Sequence, residues 1–142
     1  MKLTPGFKQQ QGVSLLEVLI SVVVLSIGLL GLAGLQAVSL KNNTSAYQRG
    51  LATMLAYDVI DRMRADLPNC ASYAVAFGAD GAGDVQDWKD GVKAALPGGN
   101  AQVVMAAGTV TVTIQWDDNR DANPIQFTTQ TTLPITAPST CT

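Results

Sequence analysis

The sequence predicts an α+β protein: one long N-terminal helix, half membrane-suited and half amphipathic, packed on a small antiparallel sheet of about three strands. Three patterns predict it. Residues 18–40 contain no charged side chain, and about 20 such residues cross roughly 30 Å of hydrocarbon as a helix. Tyr47, Leu51, Leu55, Val59, Met63 and Leu67 then recur at four-residue steps, an apolar stripe of helical period. Finally, Val110, Val112, Ile114 and Trp116 alternate with Thr111, Thr113 and Gln115, and Ile125, Phe127, Thr129, Thr131 and Leu133 alternate again. That is the period of half-buried strands.

Taken in order, residues 1–12 form a polar leader with Lys2, Lys8, Pro5 and Gly6. Residues 13–40 are the membrane half of the helix, and residues 41–142 the head domain with the amphipathic half. The helix is expected to start near Ser14. Gly28, Gly31 and Gly34 recur every third residue. They read either as a soft segment, since glycine weakens a helix by up to ~1 kcal/mol, or as the tolerance of membrane helices for small residues.

Met54 and Ile60 lie beside the head stripe, with Lys41, Gln48, Arg49, Asp58, Arg62 and Arg64 around it. Pro68 is expected to stop the helix after Leu67. Residues 70–83 read as a loop rich in glycine and alanine. Asp84 is a candidate N-cap for a short helix whose stripe is Val85, Trp88, Val92 and Leu96, ended by Pro97-Gly98-Gly99. Residues 102–105 make a first strand, and Ala106-Ala107-Gly108 a tight connection. Residues 117–124 form a polar loop, and the tail from residue 134 has no pattern.

Composition narrows the function. The 142 residues leave room for one domain plus an anchor. Net charge is −2, and no basic patch accompanies the aromatics, so no nucleic-acid partner is predicted. A basic leader before the span fits a cytoplasmic N-terminus and an exported head. There is no histidine, no Gly-x-Ser-x-Gly, no phosphate-binding loop and no zinc-ligand spacing. A non-catalytic protein with no cofactor and no metal is expected. Asp117, Asp118 and Asp121 could hold calcium, but the EF-hand spacing is absent, and three acids in a loop are also simply solvated. Cys70 and Cys141, the two cysteines, read as a disulfide in an exported domain, worth on the order of 4 kcal/mol by loop entropy. Two separate free thiols are the alternative.

One acid stands at the edge of the span. Glu17 is costly there unless something pairs with it. The run Gly12-Val13-Ser14-Leu15-Leu16-Glu17 resembles the processing motif of type IV pilins and type II secretion pseudopilins. The resemblance implies cleavage by a prepilin peptidase after Gly12, N-methylation of Val13, and an assembly role for Glu17. The family usually has phenylalanine where this chain has Val13. A chain beginning at Val13 places its amine one helical turn from Glu17. The pair could form within a subunit or between neighbours, and either lowers the cost of the buried carboxylate. An ordinary secretory signal, cut near Leu35-Gln36-Ala37, and a plain single-pass anchor remain as other readings of the same stretch.

A second likeness lies further along. Asp61-Arg62-Met63-Arg64-Ala65-Asp66 is similar to a run in the V-type minor pilins, the type IV pilus modification proteins, which usually ends in asparagine. The tryptophan-bearing short helix that runs into Leu96-Pro97-Gly98-Gly99 matches that pattern too. The bland reading of the first run is a charged helix face with Met63 in the core. The resemblance implies a pilin-like fold and a minor pilin that helps initiate or cap a type IV pilus. Its partners would be other minor and major pilins, the prepilin peptidase and the inner-membrane assembly platform. Its location would be the bacterial inner membrane, head in the periplasm, and then the extracellular filament near its tip. The alternatives are a minor pseudopilin of type II secretion and a membrane-anchored periplasmic binding module.

Overall fold

Ser14 opens the longest element of the chain: its carbonyl accepts hydrogen bonds from the Glu17 and Val18 amides at 2.9 and 3.3 Å. The helix α1 that follows runs Leu15–Ala65 without proline or interruption. The computed structural model describes residues 14–118 and 123–134. It divides into two compact units, Met1–Asn42 and Asn43–Thr142.

In the first unit every described residue is exposed. This part of α1 is apolar around its whole circumference, and it is the one helix among the described residues long and apolar enough to cross a membrane. Two of its serines are paired: Ser21 and Ser26 donate to the carbonyls of Glu17 and Val22, each at 2.7 Å. Such back-bonding satisfies a hydroxyl without help from solvent.

The second unit holds the core. One face of α1 buries Ser45, Ala52, Ala56, Val59, Ile60 and Met63. Leu51 and Leu55 pack at its margin. The expected stripe is therefore rotated: Tyr47 and Met54 are 67% and 68% exposed, while Ala52 and Ala56 are fully buried. Asp58 and Arg62 pair at 3.0 Å and Asp61 and Arg64 at 2.9 Å along the outer face. Exposed pairs of this kind contribute only about 0.3–0.5 kcal/mol each.

The helix ends two residues earlier than expected. Asp66 leaves helical geometry (φ −121°, ψ 54°), and Pro68 enters the first turn of a 3-10 helix, Leu67–Tyr73. There its missing amide costs nothing. The stretch read as a loop thus begins with ordered structure, which buries Cys70 and Tyr73. Val75 then exchanges both backbone hydrogen bonds with Val103, at 3.0 and 2.8 Å. Helix α2, Asp84–Ala95, takes Gly83 and not Asp84 as its N-cap. The Asp84 carboxylate instead accepts the Tyr73 hydroxyl at 3.2 Å. Val85, Trp88 and Val92 are buried on α2, with Leu96 just beyond its end.

Strands β1 (Asn100–Ala106), β2 (Thr109–Trp116) and β3 (Ile125–Thr132) form an antiparallel sheet in the order β1-β2-β3. Ala101 and Val103 of β1 and Val110, Val112, Ile114 and Trp116 of β2 are buried. The β1–β2 turn uses Ala107 (φ 48°) and Gly108 (φ 78°). This is the two-residue turn whose twist matches the strands, at a cost of about 1–2 kcal/mol for the alanine. Residues of α1, α2 and the sheet share one core. Trp88 Nε1 donates to the Leu55 carbonyl at 2.8 Å, which fixes α2 on α1. Arg64 Nη2 reaches Thr131 Oγ1 at 3.0 Å and ties α1 to β3.

Candidate functional site

The residues singled out by sequence fall in two places. Gly12 and Val13 lie outside the described residues, as do Cys141 and Asp121. Glu17 sits in the first turn of α1, where an acid suits the helix dipole. With Val18, Ser21, Val22 and Leu25 it lines one shallow concavity on a single face of the helix. The spacing of i, i+1, i+4, i+5 and i+8 makes that face continuous. It is apolar except for the carboxylate, since the Ser21 hydroxyl is turned back to the Glu17 carbonyl. The exposed carboxylate is the one side-chain charge from Ser14 to the end of the uncharged run.

The three glycines extend the same segment. α1 is helical throughout Gly28, Gly31 and Gly34. A Cβ placed on any of them would meet nothing within 4 Å. No contact among the described residues therefore demands glycine at those positions.

In the head, Cys70 is fully buried in the middle of the 3-10 helix that carries it. The Asp61–Asp66 run divides its labour. Met63 is fully buried in the core, Arg64 holds Asp61 and Thr131, and Asp66 accepts from the Asn69 side chain at 2.9 Å. The run is a structural helix end. The Leu96-Pro97-Gly98-Gly99 turn has an equally concrete basis. The Gly99 amide donates to the Leu96 carbonyl at 2.9 Å, and Pro97 accepts from the Asp117 amide at 2.8 Å. A Cβ at Gly99 would stand 2.5 Å from the Val92 carbonyl oxygen, so no other residue fits without moving backbone.

Three features escaped the sequence reading. Lys89 is 2% exposed, and its ammonium donates to the carbonyls of Ala76, at 3.1 Å, and Ala79. Burial pushes its pKa down, Lys93 adds to that, and Asp80 opposes it. The signal for it was weak, a lysine one position after the buried Trp88. Ser45 is buried and donates to Asp118 Oδ2 at 3.0 Å, so one of the loop acids is engaged with α1. Trp116 Nε1 is buried with no hydrogen-bond partner among the described residues. Among the described residues no group of three His, Cys, Asp or Glu could hold a metal ion.

The motif seen in the sequence has a counterpart among protein families. No curated protein and no solved structure matches the chain. Residues 7–33 match the family model described as the prokaryotic N-terminal methylation motif. That span contains Gly12, Val13, Glu17 and most of the exposed apolar segment, and it supports a chain of the pilin or pseudopilin kind.

Proposed function

We propose that this chain is a minor pilin of the V-type that helps initiate or cap a type IV pilus. The observation that carries the reading is the methylation motif over residues 7–33 continuing into an apolar helix whose side chains find no cover among the described residues. A peptidase cuts after Gly12, where no side chain obstructs the bond, and Val13 becomes the N-methylated first residue. The helix leaves the inner membrane for the apolar interior of a filament, where the Glu17 carboxylate meets the amine of a neighbouring subunit. Gly28, Gly31 and Gly34 soften the helix during that transfer. The head remains outside, first in the periplasm and then near the filament tip, with Cys70 and Cys141 bridged. Its neighbours are minor and major pilins, and the inner-membrane platform assembles them. The choice of V-type rests on Asp61 to Ala65 and on the Trp88 helix with its Leu96-Pro97-Gly98-Gly99 turn.

Deleting the gene tests the assignment. Loss of surface pili and twitching with normal exoprotein secretion is the expected result. Normal piliation with exoproteins trapped in the periplasm transfers the chain to type II secretion. Intact mass of the membrane protein tests processing separately: a chain that retains residues 1–12 is a plain anchor. Thiol labelling under denaturing, non-reducing conditions should find no free cysteine, and two labelled thiols would remove the bridge.

A further inference from the structure

Strand β3 ends the sheet, and among the described residues nothing pairs with its outer edge. Its backbone alternation can be assigned. The Leu133 amide donates to the Gly108 carbonyl at 3.1 Å, continuing the register in which Thr109 faces Thr132. Hydrogen-bonded pairs alternate along antiparallel strands. Thr131, Thr129, Phe127 and Ile125 therefore turn their amides and carbonyls to β2. Gln126, Thr128, Gln130 and Thr132 turn theirs to the open edge, and their side chains are exposed.

Natural sheets guard such edges with lysine, proline, a bulge or a very short strand. β3 has none of these protections. It is eight residues long with no charge and no proline, and its register with β2 is unbroken. An open ladder without repulsive groups is a template for another strand.

We propose that β3 pairs with β3 of a second copy of this chain, antiparallel about a two-fold axis at Thr129, joining two sheets into one. The register follows from the alternation, because outward backbone groups must face outward backbone groups. Gln126 then opposes Thr132 of the partner subunit, and Thr128 opposes Gln130 of the partner subunit. Each such pair exchanges two backbone hydrogen bonds. On the inner face Phe127 meets Thr131 of the partner subunit, and Thr129 meets its own copy. A second copy suits the edge because a two-fold repeats every residue against this same strand. A single charge on β3 would put like charges close together across such an axis, and β3 carries none. Thr–Thr and aromatic–β-branched pairs across strands add to the fit. The pairing stands apart from the filament reading, since it rests only on the β3 edge, which no described residue pairs.

Full-length protein in detergent, oxidised mildly and run without reductant, tests the register. Thr129→Cys should give a disulfide dimer in roughly tenfold excess over Thr131→Cys, because opposed residues place their Cβ atoms ~4.5–5.5 Å apart. Residue 131 is four positions out of register with its own copy, about 13 Å away. Wild-type protein gives the background from the native cysteines. Adding Thr128→Lys and Gln130→Lys, both on the exposed face, sets lysines opposite lysines and should abolish the Thr129→Cys dimer. The same two lysines in an otherwise wild-type chain should lower the mass in sedimentation from dimer to monomer. Equal crosslinking at 129 and 131, no crosslinking at 129, or a wild-type chain that sediments as a monomer would each overturn the proposal.

Discussion

Residues 15–40 and 45–63 lie on one helix, yet the first stretch is exposed on every side while the second buries six side chains on one face. The first is uncharged apart from Glu17, with only scattered serines and Gln36 among its apolar residues, and has no polar face to turn outward. Leu15, Leu30 and Leu35 are each more than two-thirds exposed, so this stretch draws its stabilisation from surroundings that the described residues do not supply. The second carries its own solvent boundary, with ion pairs outside and Val59, Ile60 and Met63 inside. One stretch specifies an environment and the other specifies a fold.

Truncating one side chain in each stretch gives the largest effect. Met63→Ala should destabilise the head by about 2–5 kcal/mol, the range for emptying a buried site. Leu29→Ala should leave the same unfolding midpoint unchanged, as read by denaturant titration of the full chain in detergent. A shared loss would mean that the apolar stretch is part of the head's core.

Glycine sharpens the contrast at a smaller scale. Gly99→Ala drives a Cβ against the carbonyl oxygens of Val92 and Leu96 and should cost about 1–3 kcal/mol, the range for overpacking. Gly31→Ala meets nothing within 4 Å among the described residues, so head stability should stay put; any loss should appear in assembly alone. Thermal unfolding of both variants decides this.

Lys89→Met leaves the carbonyls of Ala76 and Ala79 without their donor and should destabilise by about 1–3 kcal/mol. The pH dependence has a defined sign. The Lys89 pKa is lowered from 10.5 by burial first, so the unfolded chain holds a proton that the folded chain has already released. Stability contributed by this group therefore rises with pH from the lowered value up to 10.5. The Lys89→Met variant should lack that rise in a series of unfolding curves at alkaline pH.

The smallest expected change in folding is that of Glu17→Ala. The residue is exposed and belongs to the first of the two units, so the unfolding curve of the head should match wild type. Incorporation into filaments, measured in sheared pili, should fall. An unfolding shift with normal incorporation would reverse the roles of the two stretches.

Much of the architecture was legible because periodicity reports burial directly. The alternation at 110–116 and 125–131 gave the strands, and Val85, Trp88, Val92 and Leu96 gave α2 with its buried face. The misjudged points share one cause: local patterns do not say which neighbour arrives. Tyr47 and Met54 fit the helical stripe by spacing, yet the layer above α1 settles over Ala52 and Ala56. Asp84 has the chemistry of a cap, but the Tyr73 hydroxyl, brought in by the 3-10 helix, holds its carboxylate. The methylation motif was readable because it is a short linear pattern, independent of tertiary contacts.

By itself the sequence determined the apolar segment, its lone carboxylate, the order of elements and the inward faces of the strands. These depend on side-chain hydropathy and on the fixed periods of helix and strand. Only the tertiary structure decided the rotation of α1 beneath its cover, the engagement of Val75 by Val103, the burial of Lys89 between two carbonyls, and the open edge at β3. Each is set by groups far apart in the chain competing for the same space and the same hydrogen bonds, and no local period encodes the outcome of that competition.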